Sequence, residues 1–495
     1  MTLLLAASPV LLSAGALLFA RQSATRAGLL GLLTAIVLAL ALAQFRLMPA
    51  ALLDAVLRGA LTTLVVAYVL LGGVLLYQVM RAGGALETLS AAVARAIPDP
   101  AHRLFTLVLG VSVFFESATG FGIGIVVCAP LFLALGFTPL RAAFLALLGQ
   151  CAVPWGALAI GTILGSQLSG VPASVLGTLG VLLSWPFILL CGALAMVVAG
   201  QWRPLPKRAL QLLAYAALLC AVLWLASLWV GVELAGILAG LAVTLLGLLS
   251  GRRAPVARRD SATQPEERRP QGALARALLP VSVLLLGLLL TRLWPALREL
   301  SSGLLVFEVE RLGFALPLLH HPGFWMLLGA ITGVFALSLS GSEVVRLSGQ
   351  ALRQWAVATL AVAGFLCMAQ VMFDAGMIAA LAERIAAALG ANMLLLMPFI
   401  GALGGFLTAS NAGANAMFMQ FQVTSAQALA FPSDAVAAAQ NAAAANATLA
   451  SPGRVVLAAT VTQCTGQEGR LLRWALPVVL AGTLPMPLIL MWLIG

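Results

Sequence analysis

The sequence predicts an all-α polytopic membrane protein made of two inverted repeats, with about 12 spanning helices and two helical hairpins built from broken helices. Three observations carry that reading. The 495-residue chain is 62% hydrophobic and only 9% charged, with a mean hydropathy of +1.08. Apolar runs of about 20 residues, enough to cross a bilayer core, recur from end to end. Two apolar stretches, one in each half, are interrupted by matching glycine-rich polar segments. A transmembrane barrel would instead alternate apolar and polar residues in stretches of about ten, and the sequence has no such stretches.

Hydropathy places spans near 3–20, 27–49, 58–80, 140–168, 174–200, 210–230, 232–250, 276–296, 322–341, 352–373, 434–465 and 472–494. The first has no charged residues before it and is followed by Arg21 and Arg26, so it reads as a spanning helix and not as a cleaved signal. The stretches 104–135 and 393–421 differ. As single helices each would exceed about 40 Å, against a hydrocarbon core of about 30 Å. Each is broken at its centre, so both read as hairpins that enter and leave on one side.

The net charge of +11 follows topology, not nucleic acid. With hairpins at those places, most arginines, with the single lysine Lys207, fall on one face, read as cytoplasmic. Arg46, Arg58, Arg292, Arg298, Arg311 and Arg384 fall on the other. The six cysteines sit in apolar segments without metal-ligand spacing, and His102, His320 and His321 read as loop residues. No cofactor, metal or disulfide framework is expected.

The two interruptions are Phe115-Glu116-Ser117-Ala118-Thr119-Gly120-Phe121-Gly122-Ile123-Gly124 and Phe406-Leu407-Thr408-Ala409-Ser410-Asn411-Ala412-Gly413-Ala414-Asn415. They align without a gap at an offset of about 291 residues, with Gly110 over Gly401 leading in. The likeness continues outward. Gln78-Val79-Met80 echoes Gln370-Val371-Met372, and an alanine-rich amphipathic stretch (85–97, 377–389) precedes each hairpin. A helix with an amide and then a proline follows each: Gln150 with Pro154, and Gln440, Asn441 and Asn446 with Pro452. Seven spans separate the starts of the two units, which therefore lie in opposite orientation. The chain divides into a first repeat (1–208), an accessory helix pair (209–250), a basic cytoplasmic linker (251–275) and a second repeat (276–495).

Irregular polar backbone at membrane depth survives only where protein buries it or it lines a cavity. A matched pair of such breaks points to a transporter's binding site. A single small-residue motif would more often serve helix packing. Gly120 and Gly122 allow turns and close approach; Ser117, Thr119, Ser410, Asn411 and Asn415 supply neutral donors and acceptors. Free amides at the start of each returning half-helix would suit a carboxylate. Glu116 stands beside Phe114 and Phe115, where a charge is costly, and its repeat partner is Leu407. It reads as a proton-coupling carboxyl or, alternatively, as a structural partner of an arginine. Arg454, after Ser451-Pro452-Gly453, needs an anion, either a protein carboxylate or the substrate. Asn446 and the other amides read as substrate contacts or as interhelical bonds, and Asp374 as an interfacial helix end.

At these residues the chain resembles the bacterial L-lactate permease family. The resemblance rests on the 115–122 segment, Leu135-Gly136-Phe137, Phe406 to Asn411, Asn415-Ala416 and Ser451-Pro452, and runs over most of 58–475. It implies import of lactate, and often glycolate, with protons across the inner membrane, by two inverted repeats and an elevator-like movement. The family usually has glycine where Ser117 stands, threonine-proline where Ile123-Gly124 stands, and a lysine near Thr448. The missing lysine implies that Arg454 replaces it or that the substrate differs.

The combined reading is a secondary transporter, not an enzyme, for a small 2-hydroxy monocarboxylate in the bacterial inner membrane. Its partners are the organic anion, a proton and the lipid bilayer, with no nucleic acid, and a homo-oligomer is left open. A sodium-coupled symporter of a dicarboxylate or sulfonate is the nearest rival. A membrane enzyme or proton-pump subunit would need titratable relays within its helices, and the histidines and lysine lie elsewhere.

Overall fold

Apolar sequence runs as α-helix until glycine, proline or a polar cluster interrupts it, in the computed structural model, which describes residues 2–20, 22–120, 122–156, 158–251 and 272–494. The chain begins with α1 (Thr2–Leu18), α2 (Ala24–Ala41), the long α3 (Pro49–Ala82) and the amphipathic α4 (Ala85–Ala96). Next come α5 (Pro100–Phe105), a π-helical turn at Thr106–Val111, α6 (Ser112–Thr119) and α7 (Ile123–Ala134). A helix interrupted in its middle follows, α8 (Pro139–Leu148) and α9 (Ile160–Ser169). Then come α10 (Ala173–Val198), α11 (Leu205–Trp229) and α12 (Val232–Gly251).

The second half opens with α13 (Ala273–Leu293) and α14 (Pro295–Gly303). An antiparallel pair, β1 (Val306–Val309) and β2 (Phe314–Pro317), sets Val306 opposite Pro317. α15 (Pro322–Ala336), α16 (Gly341–Asp374) and α17 (Met377–Leu389) lead to α18 (Met393–Thr408) and α19 (Asn411–Ala428). A second interrupted helix, α20 (Ser433–Ala447) and α21 (Pro452–Val461), precedes α22 (Glu468–Thr483) and α23 (Met486–Ile494).

Both expected hairpins are present. In the first, Cys128 Sγ approaches the Leu107 carbonyl at 3.5 Å, so α7 runs back along the outgoing arm. In the second, Gln422 Nε2 donates to the Met397 carbonyl at 2.8 Å, closing α19 onto α18. Ten helices among the described residues are long and apolar enough to cross a membrane, as an all-α polytopic protein requires. The sequence reading needs correction in detail. The helices at 140–168 and 434–465 are interrupted around Pro154 and Pro452, as the amide-then-proline pattern predicts, and the span placed at 472–494 is interrupted too, because Pro485 cannot continue an i→i−4 ladder. The spans at 58–80 and 352–373 belong to 34-residue helices, about 50 Å long at 1.5 Å per residue, whose polar ends hydropathy leaves out. The β1–β2 pair was not anticipated, and His102 lies in α5, not in a loop. The predicted linker lies, apart from its ends, outside the described residues, as do Arg21 and Phe121.

Two groups of helices enclose the centre. On one side α2, α3, α15 and α16 pack closely where glycines meet: a Cβ on Gly364 of α16 would stand 2.7 Å from the Gly28 carbonyl carbon of α2. On the other, the hairpins and interrupted helices interlock, backed by α10 and α12. α12 lies against the first hairpin, and a Cβ on Gly240 would meet the Phe114 backbone nitrogen at 2.6 Å. α12 thus packs directly on that hairpin. Three of the six arginines placed on the sparse face are ion-paired: Arg292 with Glu233, Arg311 with Asp54 and Arg58 with Asp374.

Candidate functional site

The two hairpin tips are turned by different means. α6 ends at Gly120 (φ 72°) and α7 begins after Gly122 (φ 79°), both in backbone that glycine adopts without strain. α18 ends at Ala409 (φ 55°), a left-handed conformation that costs an L-residue about 1–2 kcal/mol. Ser410 then caps α19, its hydroxyl accepting from Gly413 N–H at 3.2 Å. The α8–α9 interruption holds two further left-handed residues, Leu158 and Ala159. Such strain persists only where surroundings enforce it, and here Leu158 N–H donates to the Ser117 carbonyl at 2.7 Å.

Glu116, in the last turn of α6, reaches across the break to the start of α7. Its Oε1 accepts from Gly122 N–H at 3.3 Å and its Oε2 from Gly124 N–H at 3.4 Å. The carboxylate therefore occupies the anion site that a helix N-terminus offers. The amides expected to face a ligand are already used by the chain itself. From α21, Arg454 Nη2 donates to Glu116 Oε1 at 3.0 Å and Nη1 to Gln150 Oε1 at 2.6 Å. The two charged side chains are only 10% and 5% exposed. A buried pair is tolerable when further hydrogen bonds hold both charges, and here Gly122, Gly124 and Gln150 supply them, although Gln150 Nε2 itself finds no partner among the described residues.

The second hairpin is held by amides. Asn441 Oδ1, on α20, accepts from Asn411 and from Asn415, each at 2.9 Å. Asn441 Nδ2 donates to Thr162 Oγ1 on α9 at 2.9 Å, and Asn415 Nδ2 also donates to the Gly161 carbonyl at 3.0 Å. Each interrupted helix therefore touches both hairpins. α8–α9 does so through Leu158 and Gly161, and α20–α21 through Arg454 and Asn441.

A cavity of about 360 Å³ opens between these elements and the α3–α16 side. Glu116, Gly120, Ser410, Asn411 and Arg454 line it, with Thr408 and apolar side chains from α3, α9, α16 and α21.

A family model for L-lactate permease matches residues 2–312 and 308–493. The chain belongs to the L-lactate permease family. It is 24% identical to the L-lactate permease of Salmonella typhimurium over 448 residues, covering 83% of this chain and 81% of that one. The L-lactate permease of Escherichia coli K12 is 25% identical over 480 residues, 89% of this chain and 86% of that one. A glycolate permease of the same organism is 23% identical over 457 residues, 83% and 81% of the two chains. The protein is thus a permease, a transporter and not an enzyme, multi-pass in the bacterial inner membrane.

In this permease, five of the residues singled out from sequence face the cavity and five stand elsewhere. Ser117 packs against Gly236 of α12, on the far side of α6. Thr119 returns its hydroxyl to the Phe115 carbonyl at 2.7 Å, as threonine within a helix often does. Gly122 serves Glu116, and Asn415 serves the amide network. Asn446 donates to Ser184 of α10 at 3.3 Å. Sequence reasoning treated Glu116 and Arg454 separately and left each with an unnamed partner; in the permease they are partners of one another. It passed over Thr162, an ordinary hydroxyl in an apolar run, and the α3–α16 wall, whose residues look like any lipid-facing stretch.

Proposed function

We propose that this permease imports a small 2-hydroxy monocarboxylate, L-lactate with D-lactate and glycolate as close analogues, together with a proton. The observation that carries the reading is the Glu116–Arg454 pair on the wall of the cavity. With the cavity empty, the two charges cancel. A proton on Glu116 weakens its hold on Arg454, and the guanidinium, still held by Gln150, is then free to take the substrate carboxylate. The loaded site again sums to zero: a cation, an anion and a neutral acid. A site without net charge can cross a low-dielectric region in either condition, and a bare ion could not. Ser410 and Asn411 stand in the same cavity and suit the substrate hydroxyl.

The names of the relatives, L-lactate and glycolate permeases, support the substrate class. The two aligned breaks, each with its hairpin and following interrupted helix, support two inverted repeats: 1–208 and 276–495, with 209–250 as a brace. Reconstituted protein in vesicles, given labelled lactate under an imposed pH or sodium gradient, tests the reading. Accumulation that follows the pH gradient and ignores both sodium and membrane potential is the expected result. Accumulation driven by sodium alone, or no accumulation of lactate, would reject it.

A further inference from the structure

The cavity has two unlike walls. Its charged groups and most of its hydrogen-bonding groups come from the hairpins and interrupted helices; Ser23 and Thr25, at the start of α2, are the exceptions, and Thr25 Oγ1 donates to the Val357 carbonyl at 3.2 Å. The facing wall, from α3 and α16, is apolar: Val66, Leu70, Val357, Ala361, Val362 and Phe365. Val357, Ala361 and Phe365 recur every four residues, so one face of α16 looks into the cavity. Lactate would use little of this wall. Its six heavy atoms have roughly the bulk of three or four waters, about 100 Å³ at about 30 Å³ each. The cavity is about 360 Å³. Among the described residues, Glu116 and Arg454 are the charged side chains that line it, so the remaining space offers no second cation for another carboxylate and suits hydrocarbon.

We propose that the substrate range extends to 2-hydroxy monocarboxylates with larger aliphatic side chains, from ethyl to isobutyl. The carboxylate lies at Arg454 and the side chain against the α3–α16 wall. The inference rests on the carboxylate-at-Arg454 reading above and adds what the opposite wall selects. Each methylene that leaves water for this wall tightens binding roughly threefold to fourfold. Ala361, between Val357 and Phe365 on the α16 face, sets the depth available to the chain.

Purified full-length protein in vesicles, with labelled lactate and unlabelled 2-hydroxybutanoate, 2-hydroxypentanoate and 2-hydroxy-4-methylpentanoate as competitors, gives the test. Inhibition constants should fall by roughly threefold to fourfold per methylene along the straight-chain series. Labelled 2-hydroxy-4-methylpentanoate should itself accumulate. Ala361→Leu should lower the ratio of 2-hydroxy-4-methylpentanoate uptake to lactate uptake by about tenfold, and Val66→Ala should raise it. Lactate uptake with no competition or no accumulation by the longer acids would overturn the inference and leave the lactate reading intact. An unchanged ratio in both variants would overturn the role of the wall. Failure to transport any of these acids would overturn the lactate reading, and this inference with it.

Discussion

Glu116 and Arg454 are 338 residues apart in the chain, and Arg454 Nη2 lies 3.0 Å from Glu116 Oε1. Glu116 stands just before the break in the first hairpin, and Arg454 just after the break in the second interrupted helix. The contact therefore joins the two halves of the protein at their irregular points, and it works only if both breaks are correctly formed.

Removing one member should cost more than removing both. Arg454→Ala leaves a buried carboxylate with only two long backbone bonds, and unfolding in detergent should ease by about 3–5 kcal/mol. Arg454→Lys keeps the charge but loses the planar fork that reaches Glu116 and Gln150 together. Thermal denaturation should place the Glu116→Gln/Arg454→Gln double variant nearer wild type than either single alanine variant. None of these Arg454 variants should accumulate substrate.

The amide network predicts a different phenotype. Asn441→Ala removes the acceptor shared by Asn411 and Asn415. Stability should fall by about 1–3 kcal/mol per orphaned group. Asn411 also lines the cavity, so substrate affinity should weaken as well, whereas Ser184→Ala, which removes the hydroxyl that accepts from Asn446 and does not line the cavity, should leave affinity unchanged. Equilibrium binding of labelled substrate to purified variants separates the two.

Gly240→Ala tests the brace. Its Cβ would stand 2.6 Å from the Phe114 nitrogen, a contact that backbone cannot relieve by rotation. The helix must shift, at about 1–3 kcal/mol. A lower melting temperature is expected, and an unchanged one would mean that α12 does not bear on the hairpin.

Acid should weaken the face that carries the β1–β2 pair. Burial first, and then the neighbouring Arg292 charge, pushes His320 down to about 4 and His321 to about 3. Arg292 can only donate, so it fixes His320 Nε2 as an acceptor and puts the proton on Nδ1, 2.9 Å from Ser301 Oγ. The unfolded chain gains protons at these positions below about pH 6.5, where the folded chain does not. Stability should therefore fall as pH drops from about 6.5 towards 4, and be unaffected by these groups above about 7. His320→Asn should flatten part of that slope in melting curves.

Much of this was legible in the sequence, for physical reasons that also mark its limits. Glycine and polar residues are so unfavourable in a lipid-facing helix that the breaks at Gly120 and Ser410 announce themselves. The same cost made Glu116 and Arg454 conspicuous. Their mutual contact was not legible, because pairing across 338 residues depends on how the hairpins fold back. Ser117 and Thr119 misled because a hydroxyl beside a break serves packing or its own helix as readily as a ligand. The apolar wall at Val66 and Ala361 was invisible for the opposite reason: nothing in its composition separates a cavity wall from a lipid face.

The most direct test of the central claim is the pH dependence of substrate affinity in wild type and in Glu116→Gln. If a proton on Glu116 releases Arg454 for the substrate, wild-type affinity should fall as pH rises across the assayed range, by up to about tenfold per unit. Glu116→Gln should bind substrate with little change across the same range and should fail to accumulate it against a pH gradient. Equal slopes in the two proteins, with pH-driven accumulation intact in the variant, would contradict the account.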